Sequence, residues 1–411
     1  MKKENLASYT LSQHGEEIIR ASKNLKGIIQ KTDVIYSEFF SREYGNNVYI
    51  KPENLQLTGS FKIRGAYNKI FGLSEEEKKR GIIAASAGNH AQGVAFSAQK
   101  LNISSVIVMP KITPLIKIAS TRSYGSEVFL HGNVYDESYK KAVEMSLENG
   151  YTFIHPFDDY GVIYGQGTVG LEILRELKDT NAILVPVGGG GLISGIALIA
   201  KSINPKIKVI GVEPVGAMAM KLSLEKGSVF EIDSCSTNAE GVAVKRPGNI
   251  TYDITSKYVD NIISVTEEDI TEALLLLVEK HKLICETSAV LTVAALKKLN
   301  IKNKNVVSVL SGGNIDVLTI SSLINKGLVS RGRIFCFSVD LPDIPGQLMK
   351  ISRIIAELNG NVIKLDHNQF KASDRFTKVQ LEITVETTGN EHIQKIIASL
   401  AKEGFSVRKV Y

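Results

Sequence analysis

The residues from Lys51 to Ala66, KPENLQLTGSFKIRGA, place two lysines and an arginine around a Thr-Gly-Ser-Phe turn. A lysine that reacts with a carbonyl group needs such a setting, because partial burial lowers its pKa and small polar neighbours hold its partner in place. Lys62 is the candidate, with Ser60 and Phe61 before it and Arg64 after it. Taken alone, the stretch is equally typical of a solvated loop ahead of a helix, so the rest of the chain must decide.

A run of four glycines, Gly188 to Gly191, follows an apolar stretch and precedes a helical pattern. Adjacent glycines can turn consecutive N–H groups toward one point, and a helix N-terminus adds positive potential there. The run therefore predicts a cup for a phosphate group, the alternative being a tight turn without a ligand. It matches neither common nucleotide signature: Ile193 or Ser194 replaces the last glycine of one, and Ile196 replaces the lysine of the other.

Two further loops each follow a strand-like segment and precede a helix-like one. The loop from Ser86 to His90 can offer N–H groups to a carboxylate, and its Asn89 can bind an acidic hydroxyl on a ring. The loop from Ser311 to Asn314 supplies a hydroxyl that can pair with a ring nitrogen. Each has a simpler interpretation, because a histidine after a turn is often only a cap and the Ser311 loop also suits an ordinary turn.

The four segments together supply a reactive amine, a phosphate cup, a carboxylate cup and two polar groups for a heteroaromatic ring. Pyridoxal 5'-phosphate needs this set of groups when it acts on an amino acid. The sequence therefore predicts pyridoxal 5'-phosphate as the cofactor and a small amino acid as the substrate.

The elements that must position these groups alternate between apolar strands and helices, which predicts an α/β fold with mostly parallel sheets. The predicted strands are 47–51, 81–85, 105–109, 127–130, 151–154, 182–187, 208–212 and 305–310. The predicted helices are 11–30, 60–71, 93–101, 116–124, 135–149, 165–178, 194–202, 268–280 and 289–299. Ligands of such sheets bind beyond the carboxyl ends of the strands, where the loops after Ala85, Val187 and Leu310 lie.

A different pattern begins near Arg333 and continues to the end of the chain. Strands are predicted at 333–341, 361–370, 376–386 and 405–410, with helices at 345–358 and 391–403. This βαββαβ order is typical of a ferredoxin-like unit. The stretch from Ile324 to Arg333 is predicted to be the linker that precedes it.

The composition indicates a soluble globular protein, because 44% of the residues are hydrophobic and 22% are charged. A chain of 411 residues is too long for one core, so two or three domains are expected. The net charge of +6 is scattered among glutamates, and the interleaved arginines and aromatics of a nucleic-acid surface are missing. No nucleic-acid partner is expected.

The cysteines and apolar runs indicate a cytoplasmic protein. Cys235, Cys285 and Cys336 lie far apart without a CxxC pair, which argues against a disulfide framework and a zinc site. The N-terminus has no apolar signal segment. The uncharged run from Asn181 to Ala200 could span a membrane by its length, but a proline and four glycines interrupt it, so no membrane partner is expected.

The motifs KPENLQLTGSFKIRGA, SAGNHAQG, VGGGGLISG and SGGN occur in the order found in threonine dehydratases, also called threonine ammonia-lyases. The chain resembles this family of fold type II, tryptophan synthase β-like enzymes over essentially its whole length. The resemblance implies a large cofactor-binding domain from residues 1–58 and 155–328, with a small α/β domain, 59–154, inserted in it. It also implies conversion of L-threonine to 2-oxobutanoate and ammonia, and of L-serine to pyruvate.

The resemblance also implies a role for each motif. Lys62 would form the Schiff base with the cofactor and then take the α-proton, while Phe61 would pack on the pyridine ring. The ring 3-hydroxyl would bind to Asn89, and a serine, Ser311, would face the ring nitrogen, which favours expulsion of the β-hydroxyl. The cofactor phosphate would bind Gly188, Gly189, Gly190, Gly191 and Leu192. The substrate would bind Ser86, Ala87, Gly88, Asn89, His90 and Glu286.

Serine racemase is the nearest alternative, and two departures count against it. Its second loop serine corresponds to Ala87 here, and its divalent-cation site needs an aspartate downstream of a glutamate like Glu213, where this chain has Val215 to Met220, VGAMAM. The segment around Glu286, ICETSAV, also differs from that of the threonine dehydratases and their relatives, because it lacks the glycine that they have after the glutamate. An amino-acid sensor without catalysis is a third reading, which the intact lysine and glycine run make less favourable.

Residues 333–411, joined through 329–332, resemble a single ACT domain. Its first strand-to-helix loop contains DIPGQL, which implies an amino-acid effector bound by Asp343, Pro345, Gly346 and Leu348. Such domains commonly bind effectors at subunit interfaces, so a homodimer or homotetramer is expected. The alternative is a dimerisation module without a ligand, and a single unit leaves both isoleucine biosynthesis and threonine catabolism open.

Overall fold

The computed structural model of the chain describes residues 6–368 and 378–411. The chain divides into two compact units, Met1–Ile315 and Asp316–Tyr411.

The first unit is built from alternating strands and helices. Its strands are β1 Ile35–Tyr36, β2 Asn47–Pro52, β3 Ile82–Ala85, β4 Ser105–Met109, β5 Glu127–Leu130, β6 Thr152–Phe153, β7 Ala182–Pro186, β8 Lys208–Pro214, β9 Asn261–Val265 and β10 Asn305–Leu310. Its α-helices are α1 Leu11–Asn24, α2 Glu38–Tyr44, α3 Lys62–Phe71, α4 Glu75–Arg80, α5 Asn89–Leu101, α6 Leu115–Arg122, α7 Tyr135–Asn149, α8 Tyr160–Glu176, α9 Gly191–Ile203, α10 Ala219–Lys226, α11 Asn249–Tyr258, α12 Glu267–Leu276 and α13 Leu291–Ala294. Short 3-10 helices occupy Leu6–Ser8, Glu53–Leu55, Glu240–Val242 and Leu296–Lys298, and a π-helix occupies Leu277–His281.

The larger sheet has the strand order β1-β2-β10-β7-β8-β9 and is parallel except for β1. Helices cover its central strands, which explains why β7 and β10 are apolar along almost their whole length. Helices α8 and α9 approach each other closely at Gly167 and Gly195. A Cβ atom on Gly195 would lie only 2.5 Å from the backbone nitrogen of Gly167, so glycine is needed at this contact. This sheet supports the glycine run and the Ser311 loop.

The smaller sheet has the order β5-β4-β3-β6, and all its strands are parallel. Its strands lie between residues 82 and 153 of the chain. Buried side chains of β3 and β4, such as Ala84 and Ile107, pack with Ala91 and Val94 of α5. This sheet supports the Ser86 loop, the predicted carboxylate cup. The larger sheet supports the glycine run, the predicted phosphate cup.

The expected α/β fold with parallel sheets is confirmed, while several element bounds differ from the prediction. Helix α1 ends at Asn24 rather than residue 30, because Gly27 has a φ of +77° that does not continue a helix. Helices α5 and α9 begin earlier than predicted, at Asn89 and Gly191, so the predicted loops already contain the first helical turns. Strand β1 and helix α2 were not expected from the sequence.

The second unit contains helix α14 Val317–Ser330, β11 Ile334–Pro342, α15 Gln347–Glu357, β12 Asn361–Asn368, β13 Lys378–Glu386, α16 Asn390–Lys402 and β14 Val407–Lys409. The sheet order is β12-β13-β11-β14, and each pairing is antiparallel. Phe335, Phe337 and Ile383 pack with helix residues such as Ile355 and Ile396 in the core. From β11 onward the described elements follow the predicted βαββαβ order.

Helix α14 replaces most of the predicted linker. The side chain of Asp316 caps its N-terminus by accepting a hydrogen bond from the N–H of Leu318 at 2.8 Å, and the helix runs to Ser330. The stretch from Ile324 is therefore helical, and only the turn at Arg331 and Gly332 precedes β11. The predicted strand ends near Phe370 and Phe376 lie outside the described residues.

Among the described residues, no helix combines the length and apolar character that a membrane crossing requires. Cys235, Cys285 and Cys336 are free thiols. Within the same residues, no group of three or more histidine, cysteine or acidic side chains is arranged to hold a metal ion.

Candidate active site

Lys62 is the first residue of α3, directly after Phe61. Its Nζ donates a hydrogen bond to the carbonyl oxygen of Pro156 at 2.9 Å and lies 5.4 Å from the centroid of the Phe61 ring. Burial lowers the pKa of Lys62 to about 8, and the more distant carboxylate of Glu286 only partly opposes this effect. A buried amine of this pKa is a usable nucleophile and base near neutral pH.

Arg64 lies on the opposite side of α3 from Lys62, because residues two apart on a helix are separated by roughly 200°. Its guanidinium is fully buried and donates to the carboxylates of Glu53 and Glu172 at 2.6–2.9 Å. The buried Lys51 donates to Glu172 at 2.6 Å. This ionic network joins β2, the 3-10 helix after it, α3 and α8, and so fixes which side of α3 carries the reactive lysine.

The loop after β10 pairs with the turn before α3. The N–H of Phe61 donates to the carbonyl oxygen of Ser311 at 3.1 Å, and the N–H of Gly313 donates to that of Gly59 at 2.8 Å. Ser60 and Gly312 form an antiparallel bridge between these contacts. The structure thus brings Ser311 and Lys62, 249 positions apart in the printed sequence, to adjoining backbone segments.

Asn89, at the start of α5, reaches the same loop. Asn314 donates its side-chain N–H to the Asn89 Oδ1 at 2.8 Å, and Asn89 Nδ2 lies 2.9 Å from both carboxylate oxygens of Glu286. The N–H of Glu286 donates to the carbonyl oxygen of Gly312 at 3.1 Å. Three predicted site residues from three separate segments, Asn89, Glu286 and Ser311, are therefore brought together.

The Ser86 loop closes on itself and leaves space above it. The N–H of Gly88 donates to the hydroxyl of Ser86 at 3.2 Å, and a Cβ atom on Gly88 would meet nothing within 4 Å. Ala87 lies between them, and the helix that follows directs its N-terminus at this space. The geometry suits a small anion such as a carboxylate.

His90 faces inward from the first turn of α5. Its Nε2–H donates to the carbonyl oxygen of Ile154 at 2.9 Å, so Nδ1 carries the lone pair, and that buried nitrogen has no partner among the described residues. Burial, aided by the nearby Lys62 charge, lowers the pKa of His90 to about 3. The ring is neutral near neutral pH.

The glycine run is held where no larger residue fits. A Cβ atom on Gly189 would lie 2.3 Å from the Phe157 ring, and one on Gly191 would lie 3.0 Å from the same residue. Gly190 has a φ of +94°. Among the described residues, the N–H groups of Gly188 to Gly191 have no hydrogen-bond acceptor. Four donors at the start of α9, which continues with the buried Leu192, are therefore available to a ligand.

The segment from Ile154 to Asp158 connects these parts and was not predicted to belong to the site. Pro156 accepts the Lys62 hydrogen bond, Phe157 packs on the glycine run, and His155 Nδ1 accepts the N–H of Asp158 at 2.8 Å. The Asp158 carboxylate accepts three N–H groups at the start of α11 at 2.9–3.2 Å. The segment follows β6, so the strand-end rule that located the other loops could have located it.

The loop predicted to bind an effector lies between β11 and α15 of the second unit. It lines a cavity of about 340 Å³, together with residues of β12 and β13. Asp343, Pro345, Gly346 and Leu348 all belong to the lining, and Gly346 has a φ of +92°. Leu341 and Val379 give the cavity an apolar floor.

Comparison with known proteins gives consistent matches over this arrangement. The family model described as pyridoxal-phosphate dependent enzyme matches residues 25–312. The L-threonine ammonia-lyase of Thermotoga maritima is 46% identical over 396 residues, which is 96% of this chain and 99% of that protein. The processed form of threonine deaminase isoform 2 from Solanum lycopersicum is 41% identical, with a TM-score of 0.74 over 77% of this chain and 87% of that one. Maize serine racemase is 32% identical, with a TM-score of 0.72 over 77% of this chain and 98% of that one.

Proposed function

The chain belongs to the pyridoxal-phosphate dependent enzymes, and we therefore propose that it is a threonine ammonia-lyase. It converts L-threonine to 2-oxobutanoate and ammonia, and L-serine to pyruvate and ammonia. The proposal rests on the loops after β3, β7 and β10, which surround Lys62, a lysine of lowered pKa. The loop after β7 is the glycine run, whose N–H groups form a cup for an anion.

The residues present fit pyridoxal 5'-phosphate. Four N–H groups of the glycine run have no acceptor among the described residues, and the buried Ser60 Oγ and His90 Nδ1 also have no partner there. We assign the phosphate to Gly188–Gly191 with Leu192, the ring face to Phe61, the ring hydroxyl to Asn89 and the ring nitrogen to Ser311. When bound, the cofactor supplies the electron sink that allows the α-proton of an amino acid to be removed.

The other groups bind the substrate and move its protons. The N–H groups of the loop that contains Ser86, Ala87, Gly88, Asn89 and His90 hold the substrate carboxylate. Lys62 takes the α-proton at Nζ, for which its lowered pKa is suited. Burial of Lys62 also limits the access of water to the proton it has taken.

The test is a steady-state comparison of L-threonine and L-serine with a Lys62→Ala variant. Wild-type protein should form 2-oxobutanoate, bind cofactor with visible absorption, and be labelled at Lys62 after borohydride reduction. The variant should lose the label and fall by at least about 10³-fold in kcat, because base and attachment point are both removed. Lys69→Ala on the same helix, which removes a partly exposed ion pair with Asp159, is the control. Parental activity in Lys62→Ala would contradict the assignment.

Serine racemization is the second candidate, since the chain is 32% identical to maize serine racemase. Proton return from the opposite face would need a second acid or base, and the side chain at the loop position next to Ser86 is the methyl group of Ala87. We therefore propose that elimination dominates. Chiral analysis of L-serine reactions should show pyruvate in excess over D-serine, and the reverse ratio would favour the racemase.

We also propose finer assignments for the domains and the assembly. The domains are residues 1–58 with 155–328 for cofactor binding, 59–154 for the inserted domain, and an ACT domain at 333–411 after the connection 329–332. The antiparallel βαββαβ sheet of the second unit supports the ACT assignment. Homodimers or homotetramers are the proposed assembly, and the unpaired thiols support the cytoplasm as the location.

The proposed effector is an amino acid bound at the loop of Asp343, Pro345, Gly346 and Leu348, and the cavity volume of about 340 Å³ suits a small ligand. Activity should be measured with and without isoleucine and valine. Leu348→Lys should abolish any response, while Met349→Lys, which is 73% exposed and not part of the lining, should keep it. Identical effector curves for both variants would contradict this site.

A further inference from the structure

Glu286 lies where three loops of the candidate site meet. Its carboxylate accepts a hydrogen bond from Asn89, and its N–H donates to the carbonyl oxygen of Gly312. Its Oε1 would be 2.9 Å from a Cβ atom on Gly312 and 3.2 Å from one on Gly241, so two glycines allow the carboxylate to approach this position. A side chain that only lined the site would not need two glycines to make room for its carboxyl group.

The charges around Glu286 leave it without a direct ion pair. Among the described residues it forms no salt bridge, while Lys117 of α6 pairs with Glu240 at 3.0 Å. Burial raises the pKa of Glu286 to about 7, against the opposing hydrogen bond from Asn89 and the charges of Lys117 and Lys62. The group can therefore hold and release a proton near neutral pH.

The proposed reaction needs an acid in addition to a base. Hydroxide is a poor leaving group, and a proton delivered to the oxygen as the C–O bond breaks lowers the barrier. Lys62 is occupied as the base. His90 cannot supply the proton near neutral pH, because its pKa is about 3 and its Nε2–H is committed to Ile154. His155 is excluded in the same way, since burial lowers its pKa to about 4.

We propose that Glu286 is the catalytic acid that protonates the departing β-hydroxyl group of the substrate, an inference that rests on the proposed lyase function. The Cβ–O bond breaks with its electron pair on oxygen, the oxygen takes the Glu286 proton, and water leaves. The electron pair of the α-C–H bond, whose proton passes to Lys62, forms the Cα–Cβ double bond. Lys62 then releases the proton it has taken to solvent and Glu286 takes one up from solvent, so both groups regain their starting states before the next turnover.

The decisive experiment compares two leaving groups in a Glu286→Gln variant. L-Threonine requires a proton on its hydroxyl group, whereas 3-chloro-L-alanine loses chloride, which leaves with its electron pair and needs no proton. We expect kcat for threonine to fall about 10²-fold or more, the usual contribution of a general acid, and kcat for 3-chloro-L-alanine to fall less than about tenfold. Equal losses on both substrates, or no loss on threonine, would overturn the proposal.

Two variants and one binding measurement separate the acid role from a structural role. Glu286→Asp keeps a carboxyl group and should recover part of the threonine activity that Glu286→Gln loses. Glu240→Gln, a neighbouring carboxylate that is 81% exposed at its side chain, should not distinguish the two substrates. Binding of unreactive L-alanine, followed by the visible spectrum of the holoenzyme, should be similar in Glu286→Gln and wild type. A wild-type protein inactive on threonine would instead contradict the proposed function.

Discussion

Removing Arg64 tests whether the ionic network beneath α3 is essential for the site. All five N–H groups of this guanidinium have acceptors at 2.6–3.1 Å, namely Glu53 and Glu172 twice each and Thr168 once. Arg64 and Glu53 are fully buried, whereas the side chain of Glu172 is 20% exposed. The Arg64→Met substitution keeps an unbranched apolar stem but leaves the Glu53 carboxylate buried without its bidentate partner.

The expected destabilisation follows from this burial. Removing one partner of a buried ion pair costs about 3–5 kcal/mol, because the remaining charge stays desolvated. Glu172 retains Lys51 and some solvent, so most of the loss arises at Glu53 and a value of about 4 kcal/mol is expected. With an unfolding entropy of roughly 2.1 cal/mol/K per residue, the melting temperature of a unit of this size should fall by about 6 °C.

Calorimetry and urea unfolding of the holoenzyme are suitable assays, with two comparison variants. Arg64→Lys should recover only part of this stability, since an ammonium group cannot donate to both oxygens of two carboxylates, and we expect a loss of about 2–3 kcal/mol. Lys69→Met, which breaks a partly exposed ion pair on the same helix, should cost no more than about 1 kcal/mol, because both charges keep access to solvent.

Two results would refute this reasoning. One is an Arg64→Met protein as stable as Lys69→Met, which would mean that the network contributes no more than a surface pair. The other is full recovery by Arg64→Lys, which would mean that charge alone matters and that the forked geometry does not. Because Lys62 lies on the opposite side of the same helix, Arg64→Met should also lower kcat for threonine more than it raises KM.

Three further outcomes can be tested separately. Gly189→Ala should weaken cofactor binding at least about tenfold in a spectroscopic titration, because the new methyl group would overlap the Phe157 ring at 2.3 Å. Asp158→Ala should cost about 1–2 kcal/mol in urea unfolding, since it removes the acceptor of three N–H groups that begin α11. Burial raises the pKa of Glu213 to about 8, so the folded state binds more protons than the unfolded state between the ordinary value of 4.5 and about 8. Stability should therefore fall as pH rises through this window, and Glu213→Gln should reduce the fall between pH 6 and 9.

The strand-end loops could be predicted because a parallel sheet follows simple rules. The carboxyl ends of its strands share one edge, so the glycines and small polar residues after β7 and β10 of the larger sheet were expected to lie near each other, and those after β3 were expected at the same edge of the smaller sheet. The segment after β6 obeys the same rule but escaped prediction. Its strand was predicted at 151–154, but the sequence HPFDD that follows has the composition of an ordinary connection and contains no glycine.

The ionic network could not be found from local pattern. Lys51 and Arg64 look like surface charges beside a turn, and their partner Glu172 lies on α8, 108 positions after Arg64. A periodicity argument assigns a charged residue to solvent unless its counter-ion is known. The partner becomes visible only when the sheet places β2, α3 and α8 side by side.

The connection before β11 shows a different limit of sequence reasoning. The predicted linker, residues 324–333, contains an asparagine, a serine and two glycines, which indicate a loop when they are weighed one by one. The capped N-terminus at Asp316 and the apolar positions between them nevertheless allow a helix. Context thus outweighs the weak intrinsic preferences of these residue types.

The contrast between Lys51 and Lys62 explains how one short stretch holds both a structural and a reactive lysine. Lys51 is fully buried, and its Nζ donates a hydrogen bond to the Glu172 carboxylate at 2.6 Å. Among the described residues, the Nζ of Lys62 has no salt bridge and donates a hydrogen bond to the carbonyl oxygen of Pro156, while the carboxylate that acts on its pKa, Glu286, accepts a hydrogen bond from Asn89. Burial therefore outweighs the partial opposing effect of Glu286 at Lys62, whose pKa falls to about 8. It follows that a carboxylate introduced within ion-pair distance of Lys62 should raise its pKa and suppress its reactivity without unfolding the protein.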